Sequence, residues 1–556
     1  MRRQAMEKNE MKHGCLRLPW QSPVMSPFLL ACVLWALRGS CLPAAEPADD
    51  LFVGDRVFEL DITIPESGIA NLRTYHWRRW RGTGMPRPKA LATVREAGVT
   101  YTNVSVHLKG SAGSFRSVDD KPAMTLNFDK HVDDQEIRGY DKIYLNNSVQ
   151  DRSFCNEKIC RELYNAAGIP TPRATHAWVT LNGRTLGLYV VIEGFNKPFL
   201  KRHFEDVSGN LYDGGFLQDI NADLSVNSGE NPEDKSDLRA LFRAAIERDV
   251  RKRFQWLGQL LDLDRYYTLM ALDTMTWNWD GYTIHHNNFR LYHDMDGGRF
   301  IFIPHGMDQM FEQPQAPIFP RFDGIVSRAL LELPAARVAY YDRLNSLMGN
   351  VFSEEKINRR IQEITTALQT TLREKDRYVA KRQQSASLGL QFNVTRRAAF
   401  LKSELSAGNR VPKFGSDGSL AVTEWTPRVF IGRPSMDRTR EGQRQLLRIG
   451  IPDQGQVAMG RWSSKLTLKQ GRYRFSGLMQ TIGADPASQD PRGGAGLRVS
   501  GAPTQSRRRG TSGWAPYYVD FVVERPVQEI ELGCELRAGK GAAVFDLNSL
   551  RINRLQ

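Results

Sequence analysis

Trp277-Asn-Trp-Asp-Gly-Tyr-Thr-Ile-His-His-Asn-Asn-Phe-Arg-Leu-Tyr292, with Phe300-Ile-Phe-Ile-Pro-His-Gly-Met-Asp-Gln-Met-Phe311 shortly after it, is the stretch on which the fold turns. A helical pattern over residues 264–277 runs into a lone aspartate, Asp280. Two asparagines follow, Asn287 and Asn288, and then a hairpin-like pair of strands around Asp296-Gly297-Gly298. Asp308 lies just past the apolar second strand, a natural place for a metal-binding carboxylate. An Asp that orients a hydroxyl, an Asn that helps hold magnesium and a strand-end Asp divide the labour as phosphoryl transfer requires. Taken singly, each also reads as turn or cap chemistry, which Asp and Asn often serve.

Upstream, Leu108-Lys-Gly-Ser-Ala-Gly-Ser-Phe115 leads to Lys121-Pro-Ala-Met-Thr-Leu-Asn-Phe128. A Gly/Ser turn between strands offers backbone N–H groups to phosphate, here at Gly110 and Ser111. Lys121 on the next strand would neutralise that charge. The same residues also read as a plain hairpin turn. Residues 57–64, 104–108 and 123–128 alternate as half-buried strands. Residues 156–167 are helical and stop at Gly168, with Pro170 and Pro172 beyond. Asn182-Gly183 joins two strands as a hairpin. This region is therefore mixed α and β.

Downstream, residues 238–261 and 264–277 carry apolar side chains at helical spacing. Residues 353–405 return to helix. Ile357, Ile361, Ile364, Leu368 and Leu372 form one stripe behind the cap candidate Ser353 and the first-turn acids Glu354 and Glu355. Residues 406–423, rich in Gly, Ser and Asp, read as a linker. Short strands then recur at sandwich-like spacing, at 465–469, 471–475, 517–523, 527–532 and 543–552.

With these stretches in order, residues 55–350 resemble the CotH kinases, the family of the spore coat protein H. The similarity lies in Leu108-Lys-Gly-Ser with residues 121–128, in Asn156-Glu-Lys-Ile-Cys-Arg-Glu-Leu163 with Gly168-Ile-Pro-Thr-Pro-Arg-Ala174, and in the strand leading to Glu193 and Lys197. It continues in Gly209-Asn-Leu-Tyr-Asp-Gly214, Asn278-Trp-Asp-Gly281, Asn287-Asn288 and Ile303-Pro-His-Gly-Met-Asp308. The resemblance implies a divergent protein-kinase-like domain that binds ATP and Mg2+; with the strand spacing beyond residue 423, the chain is expected to be α+β, that domain followed by an all-β, jelly-roll-like sandwich as an accessory domain. It implies Asp280 as the catalytic Asp, and Asn287 or Asn288 with Asp308 as metal ligands. It implies Lys121 as the phosphate-contacting lysine, Glu157 as its helix partner and Glu193 as a residue reaching the nucleotide cleft. Family members often carry Trp-Asp-x-Asp where this chain has His305-Gly306-Met307-Asp308, so the first acid is missing, which permits a pseudokinase. Asn156 replaces an Arg common before the helix glutamate.

The 556 residues suggest several domains. Charged residues at 25% and hydrophobic ones at 41% exclude wholesale disorder and a polytopic membrane protein. Residues 1–45 read as a signal peptide: a basic lead, the apolar run 28–37 and the small residues Pro43-Ala44-Ala45. That run is too short to span a bilayer, and no other stretch is an anchor. The expected organisation is residues 1–45 signal peptide, 46–405 kinase-like domain with C-terminal helices, 406–423 linker and 424–556 β-sandwich. The expected location is secreted, periplasmic or in the cell envelope. Of the cysteines, Cys155, Cys160 and Cys534 survive cleavage, which is no disulfide framework. The net charge of +14 attracts anions but specifies no nucleic-acid partner.

The expected reaction moves the ATP γ-phosphoryl group to a protein or glycan hydroxyl. Two alternatives stand beside it: a non-catalytic coat or envelope scaffold with a carbohydrate-binding sandwich, and a nucleotidyl transferase on the same fold. Trp462, Trp514, Tyr517 and Tyr518 are candidates for polysaccharide stacking, though cores claim most such aromatics. Arg507-Arg508-Arg509 is an anion candidate, though such a run is more often a solvated loop. His285, His286, His293 and His305 lack the i, i+4 spacing of a zinc helix.

Overall fold

The structure is a computed structural model that describes residues 50–80, 86–406, 411–453, 456–487, 490–503 and 505–555. The signal-peptide expectation, residues 1–45, and part of the linker, residues 407–410, lie outside the described residues.

Seven strands form a closed barrel in the order β1-β2-β3-β4-β5-β7-β6. They are β1 (Val57–Thr63), β2 (Lys89–Glu96), β3 (Val99–Lys109), β4 (Ala123–Asn127), β5 (Lys142–Asn146), β6 (Ala174–Leu181) and β7 (Arg184–Glu193). Strand β1 pairs with β6 in parallel; the other neighbours are antiparallel. Val104, Val106 and Leu108 of β3 point into the barrel core with Met124 and Leu126 of β4. Period-2 alternation then turns His107 and Lys109 outward. The β6–β7 turn has Asn182 and Gly183 both at positive φ, 49° and 75°, as a two-residue I′ turn requires. The Asn182 amide also bonds the Ile64 backbone both ways, at 2.7 and 2.8 Å.

Helix α1 (Glu66–Arg73) lies on the barrel, and helix α2 (Asn156–Ala166) carries Glu157. Helix α3 (Lys197–Lys201) follows β7 directly. A second sheet runs β11-β10-β8-β9, from β8 (Leu211–Asp213), β9 (Ser225–Ser228), β10 (Phe289–Asp294) and β11 (Arg299–Pro304). The helical stretch expected over residues 238–261 is two helices, α4 (Ser236–Ala245) and α5 (Val250–Leu260), with the Asp249 carboxylate capping the second. Helix α6 (Leu263–Thr276) is buried along most of its length and ends at Trp277, whose φ of 53° is left-handed. Then come α7 (Ile325–Leu331), α8 (Pro334–Asn350), α9 (Glu354–Lys375) and α10 (Arg377–Ser406). The α9 stripe Ile357, Ile361, Ile364, Leu368 and Leu372 is buried, and Ser353 caps the helix through Lys356 N–H at 3.3 Å. Each such side chain contributes about 1.5–3 kcal/mol by leaving water.

The C-terminal region is one nine-stranded sheet: β12 (Ser419–Ala421), β13 (Thr426–Ile431), β14 (Ser435–Glu441), β15 (Arg444–Ile451), β16 (Ala458–Asp485), β17 (Gly494–Val499), β18 (Gly510–Ala538), β19 (Lys540–Asp546) and β20 (Arg551–Leu555). The expected short strands at 465–469 and 471–475 are one strand, β16; those at 517–523 and 527–532 are one strand, β18. The apparent breaks are a register shift between Lys469 and Gly471, opposite Val527 and Val523. Gly471 and Pro526 bend the pair there without ending it. Residues from β15, β16, β17, β18, β19 and β20 meet in a single core, so the sheet curls around it. Val527, just past the bend, packs on the core of the helical region.

Candidate active site

A cleft of about 600 Å³ opens between the outer face of β3, β4 and β5 and the β8–β11 sheet. That is the size of an ordinary small-molecule site. Gly110, Ser111, Glu157, Asp280, Asn287, Asn288 and Asp308 all line it. Lys121 and Glu193 do not.

Asp280 follows the end of α6. Its carboxylate accepts from Asn287 Nδ2 at 3.1 Å and from Asn288 Nδ2 at 2.8 Å. Burial raises its pKa against those donors. Asn287 spends its Oδ1 on Leu217 N–H, at 3.1 Å. Asn288 holds a left-handed φ of 48°. Its neighbour across the cleft floor is Gly306, at φ +65°; a Cβ there would stand 2.8 Å from Asn288 Cγ. The Asn288 amide therefore occupies the space a side chain at position 306 would take.

Asp308 is held by its backbone, whose carbonyl accepts from Asn156 Nδ2 at 3.1 Å. Its carboxyl is pushed up to about 7 by burial, then by the nearby charges of Glu157 and Asp151. Glu157, 1% exposed, accepts from Arg161 Nε at 2.8 Å and from Asn146 Nδ2 at 3.1 Å. So its hydrogen-bonded cation is Arg161, one helical turn on.

The turn after β3 is self-contained. Ser111 N–H donates to Ser114 Oγ at 3.2 Å and Phe115 N–H to Ser111 O at 3.0 Å. Gly110 is needed at φ +98°, because a Cβ would lie 3.1 Å from Phe115 Cα. Asn147 pins the turn by donating to Ser114 O and Lys121 O at 3.0 and 2.9 Å.

Lys121 is a correction. Its Nζ donates to Leu188 O at 2.8 Å between the rings of Phe154 and Tyr189, away from the cleft. Two lysines missed in the sequence line the cleft instead, Lys142 and, near Glu157, Lys109. Burial pushes Lys109 down to about 8 while Glu157 pulls it back up. Its signal was the apolar parity of Val104, Val106 and Leu108, which sends residue 109 outward. Glu193 is the second correction. Its carboxylate accepts from Arg173 N–H at 3.0 Å and from Arg202, fastening β7 to α3 rather than facing the cleft.

Arg161, Asp213, Arg290 and His305 also line the cleft. Behind it, the buried Asp273 accepts from Tyr164 Oη, Asn278 Nδ2 and Thr283 Oγ1 at 2.8, 2.9 and 2.7 Å. It thereby ties α2 to the loop that carries Asp280. Arg397 of α10, fully buried, donates to the carbonyls of Thr274, Met275, Pro314 and Ala316, clamping the end of α6 to the segment after β11.

Among the described residues, no group of three His, Cys, Asp or Glu side chains stands close enough to hold a metal ion. His293 instead pairs with Asp237 at 3.0 Å. The cleft's oxygen donors still suit magnesium: the Asp308 and Asp280 carboxylates, and Asn288 Oδ1, whose amide nitrogen is already spent on Asp280. Asn156 Oδ1, beside Asp308, is buried without a hydrogen-bond partner.

In the C-terminal sheet, Trp462 is a core residue whose Nε1 donates to Arg448 O at 3.2 Å. Tyr518 is half exposed beneath Arg474. Arg507 pairs with buried Glu535, while Arg508 and Arg509 donate to Pro516 O and Pro491 O at 2.8 and 2.9 Å. The three arginines staple their loop to the sheet. No helix among the described residues is long and apolar enough to cross a membrane.

The family model for CotH kinase protein matches residues 106–398, more than half of the chain, and the chain belongs to that family. It is 24% identical over 250 residues to the inner spore coat protein H of Bacillus subtilis, covering 40% of this chain and 67% of that one. It is 21% identical over 229 residues to the invasin CotH7 of Rhizopus delemar, covering 37% and 38%. Among solved structures, the Helicobacter pylori proinflammatory kinase CtkA matches 54% of this chain and 96% of its own at 11% identity, with a TM-score of 0.24. A carbohydrate-binding module, TmCBM61 with β-1,4-galactotriose, matches 24% and 91% at 12% identity, with a TM-score of 0.18.

Proposed function

We propose that the chain is an exported kinase that transfers the γ-phosphoryl group of ATP, with Mg2+, to a hydroxyl on protein or glycan. The observation that supports this best is the convergence of Lys109, Glu157, Asp280, Asn288 and Asp308 on one cleft. Asp308 and Asn288 would hold the magnesium, which when bound neutralises charge on the phosphate oxygens. Lys109, kept beside Glu157 and Arg161, is a fixed cation for the same oxygens. Asp280 orients the acceptor hydroxyl and takes its proton. The acceptor oxygen bonds to the γ-phosphorus as the bond to the β,γ-bridging oxygen breaks, and ADP leaves. Asn287 and Asn288 fix the Asp280 carboxylate by both oxygens, so catalysis comes from positioning.

Export is proposed on the basic, apolar and small-residue pattern of residues 1–45, and agrees with relatives named for a spore coat and as an invasin. Polysaccharide binding by residues 424–556 is proposed on the same envelope setting. A scaffold without catalysis is the second reading, favoured by one feature: Gly306 stands where members of the family often carry an acid. Mass spectrometry of acceptors incubated with ATP and magnesium separates the possibilities. A phosphoryl adduct that falls about 10²–10⁴-fold in rate with Asp280→Asn supports the kinase. An AMP adduct would make the protein a nucleotidyl transferase, and no adduct on any acceptor would favour the scaffold.

A further inference from the structure

Where the cleft passes under the connection from β7 to α3, its wall is apolar: Ala123, Tyr144, Ile192 and Phe195. A flat base belongs against such a wall, with the phosphates toward Lys109 and Asp308. The backbone donors of that connection are already committed. Glu193 N–H donates to Arg173 O and Gly194 N–H to Lys142 O, both at 3.0 Å. Phe195 N–H donates to the Tyr144 hydroxyl at 3.3 Å. None of these three amides is left to read the edge of a base.

Arg290 stands in their place. Strand β10 sends Phe289 and Leu291 into the core and turns Arg290 into the cleft. Its guanidinium lies 5.0 Å from the Phe195 ring centroid. Nη1 donates to Asp213 Oδ1 at 2.7 Å and lies 3.0 Å from His305 Nε2. Nε is buried and has no hydrogen-bond partner. A buried guanidinium N–H without an acceptor is costly, and a ligand in the cleft would supply the acceptor. His305 adds no opposing charge. Burial, and then the neighbouring cations Arg290, Arg161 and Lys109, hold its imidazole well below the usual range.

We infer that Arg290 is the base-recognising residue of this cleft, donating through Nε to an acceptor on the edge of the base, so that the site takes purine nucleoside triphosphates without selecting adenine over guanine. Both adenine and guanine offer a ring-nitrogen acceptor such as N7 to a guanidinium donor. Strong selection between purines needs a donor and acceptor fixed opposite the 6-position, and the three backbone donors of the connection are spent. The inference rests on the nucleotide reading proposed above and specifies which purines the site admits.

The test is calorimetric titration of the full chain with ATP and with GTP, each with magnesium. Wild type is expected to bind the two within about threefold of each other, and Arg290→Leu to weaken both by about tenfold or more. Arg290→Lys, which keeps a cation for Asp213 but lacks Nε, is expected to weaken both as well. A preference of wild type for ATP of about thirtyfold or more, or unchanged affinity in a folded Arg290 variant, would overturn the inference and leave the nucleotide site standing. Binding of neither nucleotide by wild type would overturn the nucleotide reading and this inference with it. The ATP-to-GTP ratio is read on wild type alone, so the test survives a variant that fails to fold.

Discussion

Asp308 carries the clearest pH signature of the cleft. Its carboxyl titrates near 7 in the folded chain, against an ordinary 3.8, because burial and the charges of Glu157 and Asp151 oppose ionisation. Between those values the folded state binds more protons than the unfolded one, so stability falls as pH rises from about 4 to about 7 and is level above. A bound cation repays that cost by favouring the carboxylate. Without metal, Asp308→Asn should therefore melt higher than wild type at pH 8, by roughly 5 °C, and show no such advantage at pH 4. Thermal melts across pH check this. The two lysines separate just as cleanly. Lys109→Met should weaken ATP binding by about tenfold or more, whereas Lys121→Met should leave it unchanged, as read by calorimetry.

Among the elements, β4 shows why one lysine was misread. Ala123 and Thr125 face the cleft, so alternation carried back two residues puts Lys121 there too. Pro122 intervenes and the strand begins only at Ala123, so the parity does not extend to Lys121. The cap and stripe of α9 and the Asn182-Gly183 hairpin were legible because local chemistry decides them. The Asp273 and Arg397 anchors were not, since their partners lie up to 123 residues away in sequence. The β10–β11 hairpin holds Asn288 against Gly306, and that contact yields its own prediction. Gly306→Asp meets both the Asn288 side chain and a left-handed φ, so it should cost about 1–3 kcal/mol in urea unfolding and bring no tighter cation binding.

For the whole molecule, a mixed barrel-and-helix region followed by an all-β region was readable from the change in periodicity after residue 406. The curl of the C-terminal sheet was not, because a bulge at glycine or proline looks like a turn in sequence. If the leader pattern is used as proposed, N-terminal sequencing of the exported protein should begin at Glu46; an intact N-terminus on exported material would refute that boundary. The central claim is that this cleft binds magnesium and a nucleotide through Asp308. Thermal unfolding of residues 46–556 with and without ATP and magnesium, beside Asp308→Ala, tests it most directly. A magnesium-dependent rise of several degrees in wild type that vanishes in the variant is the predicted result. No shift in wild type at millimolar ATP, or an equal shift in the variant, would contradict it.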